Sequence, residues 1–448
     1  MTTPIRDFLR DYQRKGTARF HMPGHKGRGP LGCEAWDLTE IPGADSLHEA
    51  AGIIARSEEN AAALFGSAAT FYSTEGSSQC VKAMLFLALQ RRRAGTPPVI
   101  LAARNVHKSF VHAAALLDFK PVWLWPEEGE SASLCACPVT AAGLEEALSA
   151  LDAPPAAVYV TSPDYLGNLQ DIPALAEVCR ARGTPLLVDN AHGAYLRFLK
   201  SSLHPLDQGA DLCCDSAHKT LPVLTGGAYL HVSKTAPAAF RERAREALAL
   251  FGSTSPSYLT MASLDLCGDW LTGEGPERIR AAAQGLKSLK QGLSERGWVF
   301  AGNEPLKLTF DAAASGRDGF ALADLLRAGG VEPEYADRDH VVLMASGSTD
   351  GEAFRAVEDA LHAVAPCRGA SRPAPPLAKG ERVMSVREAL FAPRETVQAG
   401  ESLGRICGAP TVSCPPAVPV AVSGERIGEE ALTLFRYYGV EAVDVLKE

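Results

Sequence analysis

The feature that most constrains the fold of this chain is an alternation of apolar strands and amphipathic helices between about residues 58 and 232. Helical spacing of apolar residues predicts helices over Ser77–Arg92 and Asp171–Arg182. Six short apolar runs are typical of buried strands: 98–103, 121–125, 156–162, 185–189, 211–216 and 227–232. This alternation predicts an α/β domain with a mainly parallel sheet, and functional groups at the carboxyl ends of its strands.

A chain of 448 residues is too long for one compact core, so several domains are expected. We predict an N-terminal arm and active-site loop segment over 1–57, a large α/β domain over 58–260, a smaller α+β domain over 261–366, a linker over 367–381, and a C-terminal domain over 382–448. In the arm, Ile5, Phe8, Leu9 and Tyr12 share one helical face. That face needs a covering surface, for which a second subunit is a candidate, because Phe8 and Leu9 would otherwise lie in water.

Composition and charge exclude several classes of function. The net charge is −9 and no basic stripe occurs, which argues against nucleic-acid binding. The first residues carry charges throughout, and no run reaches the length of a membrane span, so a cytoplasmic protein is expected. The 11 cysteines form no CxxC pair, which favours free thiols. No metal site is predicted, because no acidic or cysteine spacing completes a ligand set with His21, His25 and His48.

Three features in chain order carry the chemistry. Gly76, Ser77 and Ser78 open a helix, which suits a phosphate, although an ordinary helix cap has the same pattern. Asp189 ends an apolar strand, where a carboxylate can pair with a protonated pyridine nitrogen and keep the ring cationic. A magnesium-binding aspartate is the rival interpretation, but the chain has no GxxxxGK[ST] motif. Lys219 follows the predicted strand 211–216, and burial there would lower the pKa of its amine, as a Schiff-base amine requires.

Nine motifs then appear in the order of a known family. They are FHMPGHKG (20–27), ADSLHEAAGII (44–54), TEGSSQ (74–79), RNVHKSF (104–110), TSPDYLGN (161–168), VDNAHGAY (188–195), DSAHKTLPVLTGG (215–227), STSPSY (253–258) and CPPAVPVAVSGERI (414–427). The chain resembles the ornithine/lysine/arginine decarboxylase family, in its short form without a receiver-like N-terminal domain. The resemblance implies pyridoxal-phosphate (PLP) fold type I, the aspartate-aminotransferase-like fold, with a seven-stranded type of sheet in a large domain and smaller α+β C-terminal domains.

The resemblance also implies roles for individual residues. Lys219 would hold PLP as a Schiff base, Asp189 would pair with the pyridine nitrogen, His107 would stack on the ring, and His192 would lie near the cofactor. The phosphate would be bound by Gly76, Ser77, Ser78, Ser216 and His218, and by Thr254 and Ser255 of a neighbouring subunit, which requires a homodimer with composite active sites. Lys219 or His218 would return a proton to the substrate. Asp45 and His48 are candidates for substrate contact, although loop capping or a surface ion pair explains Asp45 more simply.

The implied reaction is PLP-dependent decarboxylation of arginine, lysine or ornithine to a primary amine. An aminotransferase or another PLP lyase of the same fold is an alternative, and a PLP-binding regulatory protein without turnover is a second. The chain departs from the family pattern at Asn190 and Tyr195, where Glu and His are usual, and at Pro415-Pro416-Ala417, where PPG is usual. The first two departures bear on the pocket, and the third bears on a local turn.

Overall fold

The structure is a computed structural model that describes residues 1–92, 95–126, 135–362, 364–366, 375, 377, 379–412 and 419–447. Most of the predicted linker 367–381 and the Pro415-Pro416-Ala417 turn lie outside the described residues. Within those ranges, no helix is long and apolar enough to cross a membrane. The nine cysteines that the structure describes are free thiols, of which only Cys33 is exposed.

The described helices are α1 Pro4–Arg14, α2 Ile53–Phe65, α3 Ser77–Arg91, α4 Lys108–Leu117, α5 Ala141–Ser149, α6 Ile172–Ala181, α7 Pro205–Gln208, α8 Ala217–Thr220, α9 Ala238–Phe251, α10 Tyr258–Thr272, α11 Gly275–Glu295, α12 Gly319–Ala328, α13 Gly351–His362, α14 Val386–Phe391 and α15 Glu429–Tyr438. The described strands are β1 Ala69–Ser73, β2 Val99–Ala103, β3 Lys120–Leu124, β4 Ala157–Thr161, β5 Leu186–Asp189, β6 Leu212–Asp215, β7 Ala228–Val232, β8 Phe300–Ala301, β9 Lys307–Asp311, β10 Tyr335–Ala336, β11 His340–Met344, β12 Glu381–Arg382, β13 Arg394–Gln398, β14 Thr411–Val412, β15 Ala421–Val422, β16 Glu425–Arg426 and β17 Ala442–Leu446. The six predicted strands are confirmed as β2 to β7, whereas β1 was not predicted.

The chain divides into two compact units, and each is built from two separate segments. The first unit comprises Met1–Arg92 and Cys179–Arg280, and the second comprises Arg93–Val178 and Ala281–Glu448. These units differ from the five domain ranges expected from the sequence, and those ranges stay a prediction.

The first unit holds four strands in the order β1-β7-β6-β5. β5 and β6 are parallel, with Asp189 opposite Cys214, and β7 runs antiparallel to both β6 and β1. Every residue of β5, β6 and β7 is buried, as the continuous apolar runs predicted. Because β5 and β6 are parallel, the residues that follow them emerge at the same edge of the sheet.

The N-terminal arm forms α1, which packs against α2 and α10 of its own unit. Ile5 and Leu9 are fully buried there, and Asp265 accepts hydrogen bonds from the backbone N–H groups of Ile5 and Arg6, both at 3.0 Å. The expectation that Leu9 would lie in water without a second subunit is therefore wrong. Within one chain, α2 and α10 cover Ile5 and Leu9 of this helical face, whereas Phe8 and Tyr12 are half-buried.

The second unit holds three parallel strands in the order β4-β2-β3 and a four-stranded antiparallel sheet in the order β10-β11-β9-β8. Its C-terminal part adds three two-stranded sheets, β12-β16, β13-β17 and β14-β15, around a core that includes Cys407, Ile427, Phe435 and Val445. Across both units, the mainly parallel α/β architecture predicted from the sequence is confirmed.

Candidate active site

The predicted phosphate loop lies at the beginning of α3. Gly76 is its N-cap residue and has φ of +72°, a left-handed conformation that favours glycine. In the part of the chain that the structure describes, no side chain caps the first turn of this 15-residue helix, whose N–H groups and dipole suit an anion. Ser216 donates a hydrogen bond to Ser77 between the two hydroxyl oxygens at 2.8 Å, and the N–H of Gly76 donates to the carbonyl of Gly226 at 2.7 Å. Hydroxyl groups from two chain segments thus meet at the helix end.

Lys219 lies in the short helix α8, which follows β6. Its Nζ lies 2.7 Å from Nε2 of His192, which follows β5 and is buried. The Lys219 side chain is half-buried, unlike the fully solvated lysines of the surface. An imidazole nitrogen at hydrogen-bond distance can accept a proton from the amine, which is what a lysine needs in order to become a nucleophile.

Asp189 is the last residue of β5 and is buried. Its Oδ1 accepts a hydrogen bond from the N–H of Ala191 at 3.2 Å and lies 3.6 Å from the thiol of Cys214 on the neighbouring strand. The carboxylate therefore lies at the sheet edge from which Ser216 and Lys219 also emerge. A buried carboxylate in that position can stabilise a positive charge on a bound ring.

His218 is oriented by the backbone. Its Nδ1 lies 3.0 Å from the carbonyl oxygen of Gly227, to which it can only donate. In the neutral ring, Nε2 is then an acceptor, so donation from Nε2 to a phosphate oxygen requires the protonated imidazolium. His218 can serve the predicted phosphate role only in its charged form.

His107 belongs to the second unit, where it is the N-cap residue of α4. Its Nδ1 accepts a hydrogen bond from the N–H of Ser109 at 3.2 Å and lies 2.8 Å from the Ser109 hydroxyl. Because Nδ1 is an acceptor, the ring proton of the neutral form is on Nε2. The stacking role of His107 stays a prediction.

Thr254 and Ser255 are exposed in the single chain. The N–H of Ser253 donates to a carboxylate oxygen of Glu75, so this segment lies beside the phosphate loop of its own chain. His48 also reaches it, with Nε2 at 3.1 Å from the Ser253 carbonyl oxygen. The predicted contribution of Thr254 and Ser255 to a neighbouring subunit stays a prediction.

Asp45 has the geometry of a capping residue. Its carboxylate accepts hydrogen bonds from five backbone N–H groups, those of Ser46, Ala51, Gly52, Ile54 and Ala55, at 2.8–3.4 Å. Burial raises the pKa of Asp45, but these donors outweigh burial and hold that pKa below its ordinary value. The carboxylate is thus engaged by the start of α2, which favours capping over substrate contact.

The sequence did not predict the cluster of buried polar side chains around Asp215, the last residue of β6. Asp215 accepts a hydrogen bond from the side-chain amide of Asn190 at 2.7 Å and lies 3.0 Å and 3.1 Å from Nε2 of His204 and His231. All four side chains are fully buried, as is Tyr195, the second residue at which the chain departs from the family pattern. His231 within an apolar strand and the departure from the family pattern at Asn190 were the sequence signals of this cluster.

A second unpredicted feature is a buried ion pair in the second unit. The guanidinium of Arg104 donates to both carboxylate oxygens of Glu425, at 2.6 and 2.8 Å, and to the carbonyl of Pro419 at 3.2 Å. Its Cζ lies 4.8 Å and 4.9 Å from the ring centroids of Trp123 and Trp125. The pair fastens the C-terminal part of the chain to the segment that carries His107.

Comparison with solved structures identifies the fold. The solved structure of the constitutive lysine decarboxylase of Escherichia coli superimposes with a TM-score of 0.77 at 19% identity, covering 100% of this chain and 82% of that one. A serine palmitoyltransferase of Sphingomonas wittichii shares the fold more distantly, with a TM-score of 0.56. The fold is therefore PLP fold type I, as the resemblance implied.

Sequence comparison narrows the class to a family. The family described as "Orn/Lys/Arg decarboxylase, major domain" matches residues 3–315. The chain is 30% identical over 464 aligned residues to a Bacillus subtilis protein named "Uncharacterized protein YaaO", covering 96% of this chain and 93% of that protein. It is 29% identical to the arginine decarboxylase of Bacillus subtilis, covering 96% and 92%. The chain belongs to the Orn/Lys/Arg decarboxylase family, which confirms the prediction of a decarboxylase enzyme.

Proposed function

We propose that this chain binds PLP through Lys219 and decarboxylates arginine, lysine or ornithine to the corresponding amine and carbon dioxide. The observation that carries the proposal is the meeting of three kinds of group in the first unit. The hydroxyls of Ser77 and Ser216 lie at the start of α3, the amine of Lys219 lies beside His192, and the carboxylate of Asp189 ends β5. These donors and acceptors fit a phosphate, an aldehyde and a pyridine nitrogen, respectively.

Each residue then has a defined task. Bound through Lys219, PLP supplies an electron sink for the breaking bond between Cα and the carboxylate of the substrate. Asp189 would keep the pyridine nitrogen protonated. Ser77 and Ser216, with the N–H groups of α3, would hold the phosphate and fix the position of the ring. His192 would accept a proton from the Lys219 amine, and Lys219, once displaced by the substrate, would be free to return a proton to Cα.

The substrate class rests on the relatives. The arginine decarboxylase of Bacillus subtilis aligns along nearly the whole chain, which makes arginine the first substrate to test. The constitutive lysine decarboxylase of Escherichia coli also matches, at 26% identity over 67% of this chain, which keeps lysine in the set. Ornithine completes it because the family includes that activity.

Covalent attachment tests the first part of the proposal. The purified protein, supplied with PLP, should absorb visible light, and borohydride reduction should fix the cofactor on the peptide that contains Lys219. Lys219→Arg keeps a positive charge beside His192 but cannot form an imine, so it should lose both signals. Lys200→Ala, at an exposed position, should keep both. Normal labelling of Lys219→Arg would refute the assignment.

Product analysis tests the second part. Carbon dioxide release should occur with at least one of arginine, lysine and ornithine, and not with leucine. Amino transfer to a 2-oxo acid without carbon dioxide would instead identify an aminotransferase. PLP binding without either reaction across the panel would identify a regulatory protein.

We extend the proposal to a homodimer with composite sites, because Thr254 and Ser255 expose hydroxyl groups on a segment anchored beside the phosphate loop. Mixing Lys219→Ala chains with Ser255→Ala chains tests it. If Ser255 serves the partner's phosphate, the mixed dimer regains one site with both native residues and exceeds either parent in activity. If Ser255 serves its own chain, mixing gives no gain. A fully active protein that sediments as a monomer would also refute the composite site.

A further inference from the structure

One fully buried carboxylate joins several elements beneath the candidate active site. Asp215 ends β6, and its Oδ1 accepts from the amide of Asn190 at 2.7 Å. Its Oδ2 lies 3.0 Å from Nε2 of His204 and 3.1 Å from Nε2 of His231. The four side chains come from β6, β7, the turn after β5 and the loop before α7, and none of them reaches solvent. A buried carboxylate with three donors is a strong local constraint.

The hydrogen-bond pattern allows both imidazoles to donate to Asp215 through Nε2. The N–H of Leu206 donates to Nδ1 of His204 at 3.4 Å, and the hydroxyl of Thr70 lies 2.8 Å from Nδ1 of His231 and can donate likewise. Both rings then carry their proton on Nε2, facing Asp215. Burial lowers the pKa of His231, which favours its neutral form. Burial alone raises the pKa of Asp215, but electrostatic attraction to the His204 and His231 rings, together with their hydrogen bonds, outweighs burial and holds the carboxyl pKa below its ordinary value.

A metal ion is the rival occupant, because the ligand atoms of His204, Asp215 and His231 lie within 4.8 Å of one another. A metal would need the lone pair of each Nε2, whereas the backbone N–H that His204 accepts at Nδ1 places the proton of its neutral ring on Nε2. The described contacts therefore favour a hydrogen-bonded cluster.

Asn190 connects the cluster to the site residues. It follows Asp189 directly, its carbonyl accepts from the N–H of Gly193 at 2.8 Å, and a Cβ at Gly193 would come within 1.9 Å of its side-chain oxygen. Within the described residues, that oxygen has no hydrogen-bond partner, so the hydrogen bond to Asp215 and packing against Gly193 orient the amide. The turn that carries Asp189 and His192 is thereby fastened to the carboxylate of Asp215.

Resting on the proposed function, we propose that Asp215 is a positioning residue of the active site. It acts through Asn190 on the turn of Asp189 and His192, and through its own backbone on the adjoining segment that carries Lys219. Position 190 must then offer a neutral donor, because a carboxylate there would face the ionised Asp215 in a buried site. Residues 190 and 215 therefore form a matched pair of amide donor and carboxylate acceptor.

An exchange of the two side chains tests the pairing. Asn190→Asp places two carboxylates together, and Asp215→Asn leaves two amides that cannot both be satisfied. The double variant carries both substitutions and restores one carboxylate and one amide. The amide nitrogen at position 215 can then donate to the carboxylate at position 190, while the amide oxygen accepts from both imidazoles. Asp211→Asn is the matched control, because Asp211 accepts from the N–H of Leu186 at the opposite end of β6, at 2.9 Å.

The readouts are kcat, KM, the visible absorption of bound PLP, and the unfolding temperature of the protein without PLP. Each single variant should lower kcat by about 10- to 100-fold, with KM within about threefold and an altered absorption band, because small displacements of catalytic groups have effects of this size. The double variant should recover kcat to within about threefold of the native protein, as coupled neighbours do. Asp211→Asn should lower the unfolding temperature without changing kcat or the absorption band.

Three results would overturn the proposal. Single variants with native kcat and absorption would make Asp215 a purely structural residue, even if their unfolding temperatures fell. A double variant no better than the singles would show that residues 190 and 215 are not coupled. Stoichiometric metal in the native protein, lost in His204→Ala, would identify a metal site. Failure of the proposed function can be distinguished from failure of this inference. In that case the native protein would take up no PLP, but the unfolding temperatures would still show that residues 190 and 215 are coupled.

Discussion

Breaking the ion pair between Arg104 and Glu425 by removing one partner should be one of the most destabilising single changes in the second unit. The side chains of the two residues are 0% and 4% exposed, and both carboxylate oxygens accept hydrogen bonds from the guanidinium. Glu425→Gln removes the negative charge and leaves the cation buried. Breaking a buried pair in this way costs about 3–5 kcal/mol. The carbonyl of Pro419 and the rings of Trp123 and Trp125 remain as partners, so we expect about 3 kcal/mol.

The assay is urea denaturation followed by tryptophan fluorescence, since two of the five tryptophans of the chain contact the Arg104 guanidinium. The matched control is Glu381→Gln, which breaks the exposed pair between Glu381 and Arg426, whose side chains are 73% and 46% exposed. An exposed pair contributes about 0–1 kcal/mol, so this control should change the free energy of unfolding little.

The double substitution Arg104→Met with Glu425→Met should cost less than Glu425→Gln alone, because it leaves no buried charge. A loss below about 1 kcal/mol for Glu425→Gln, similar to that of the control, would refute the reasoning. A double variant less stable than Glu425→Gln would equally contradict the premise that the unpaired guanidinium carries the cost.

Three further predictions concern individual carboxylates. Asp189→Ala should keep some PLP but lose at least about a thousandfold in turnover, roughly 4 kcal/mol of transition-state stabilisation, and activity within a few-fold of native would make the carboxylate structural. Asp45→Ala should lower the free energy of unfolding by about 1–2 kcal/mol with KM nearly unchanged, whereas a large rise in KM at native stability would restore the substrate-contact interpretation. Burial raises the pKa of Asp164 to about 6, so the folded state binds its proton more tightly than the unfolded state, and its contribution to stability falls as the pH rises from about 4 to about 6. The unfolding temperature of Asp164→Asn relative to the native protein should therefore increase over that range, and a difference independent of pH would contradict the raised pKa.

The sequence predicted the sheet and the local elements well because buried parallel strands are continuous apolar runs. β1 escaped prediction because its five residues ATFYS include Thr70 and Ser73, buried polar residues that interrupt an apolar run. The arm was correctly predicted as a helix, but periodicity identifies only the face that is buried and not the element that covers it. Leu9 was therefore assigned to the wrong neighbour.

In the candidate site, too, local sequence patterns indicated single residues but not the residues that they contact. Lys219 and Asp189 could be predicted because Asp189 ends one apolar strand and Lys219 closely follows the next, a pattern that the sequence alone reveals. The partners of Asp215 were not found, because His204 and His231 come from other segments and a single sequence gives no register between strands. Arg104 and Glu425 are 321 residues apart, beyond the reach of any local pattern.

The interleaving of the two units has a consequence for synthesis on the ribosome. The first unit needs both Met1–Arg92 and Cys179–Arg280, so it cannot be completed until about 280 residues have been translated. The segment Arg93–Val178 emerges in between, but the rest of its unit begins only at Ala281. Its apolar strands β2, β3 and β4 therefore lack the rest of their unit until the residues from Ala281 onward have been translated, at about 5–20 residues per second. For many seconds the nascent chain should thus expose the apolar surface of a sheet fragment before the rest of its unit has been translated.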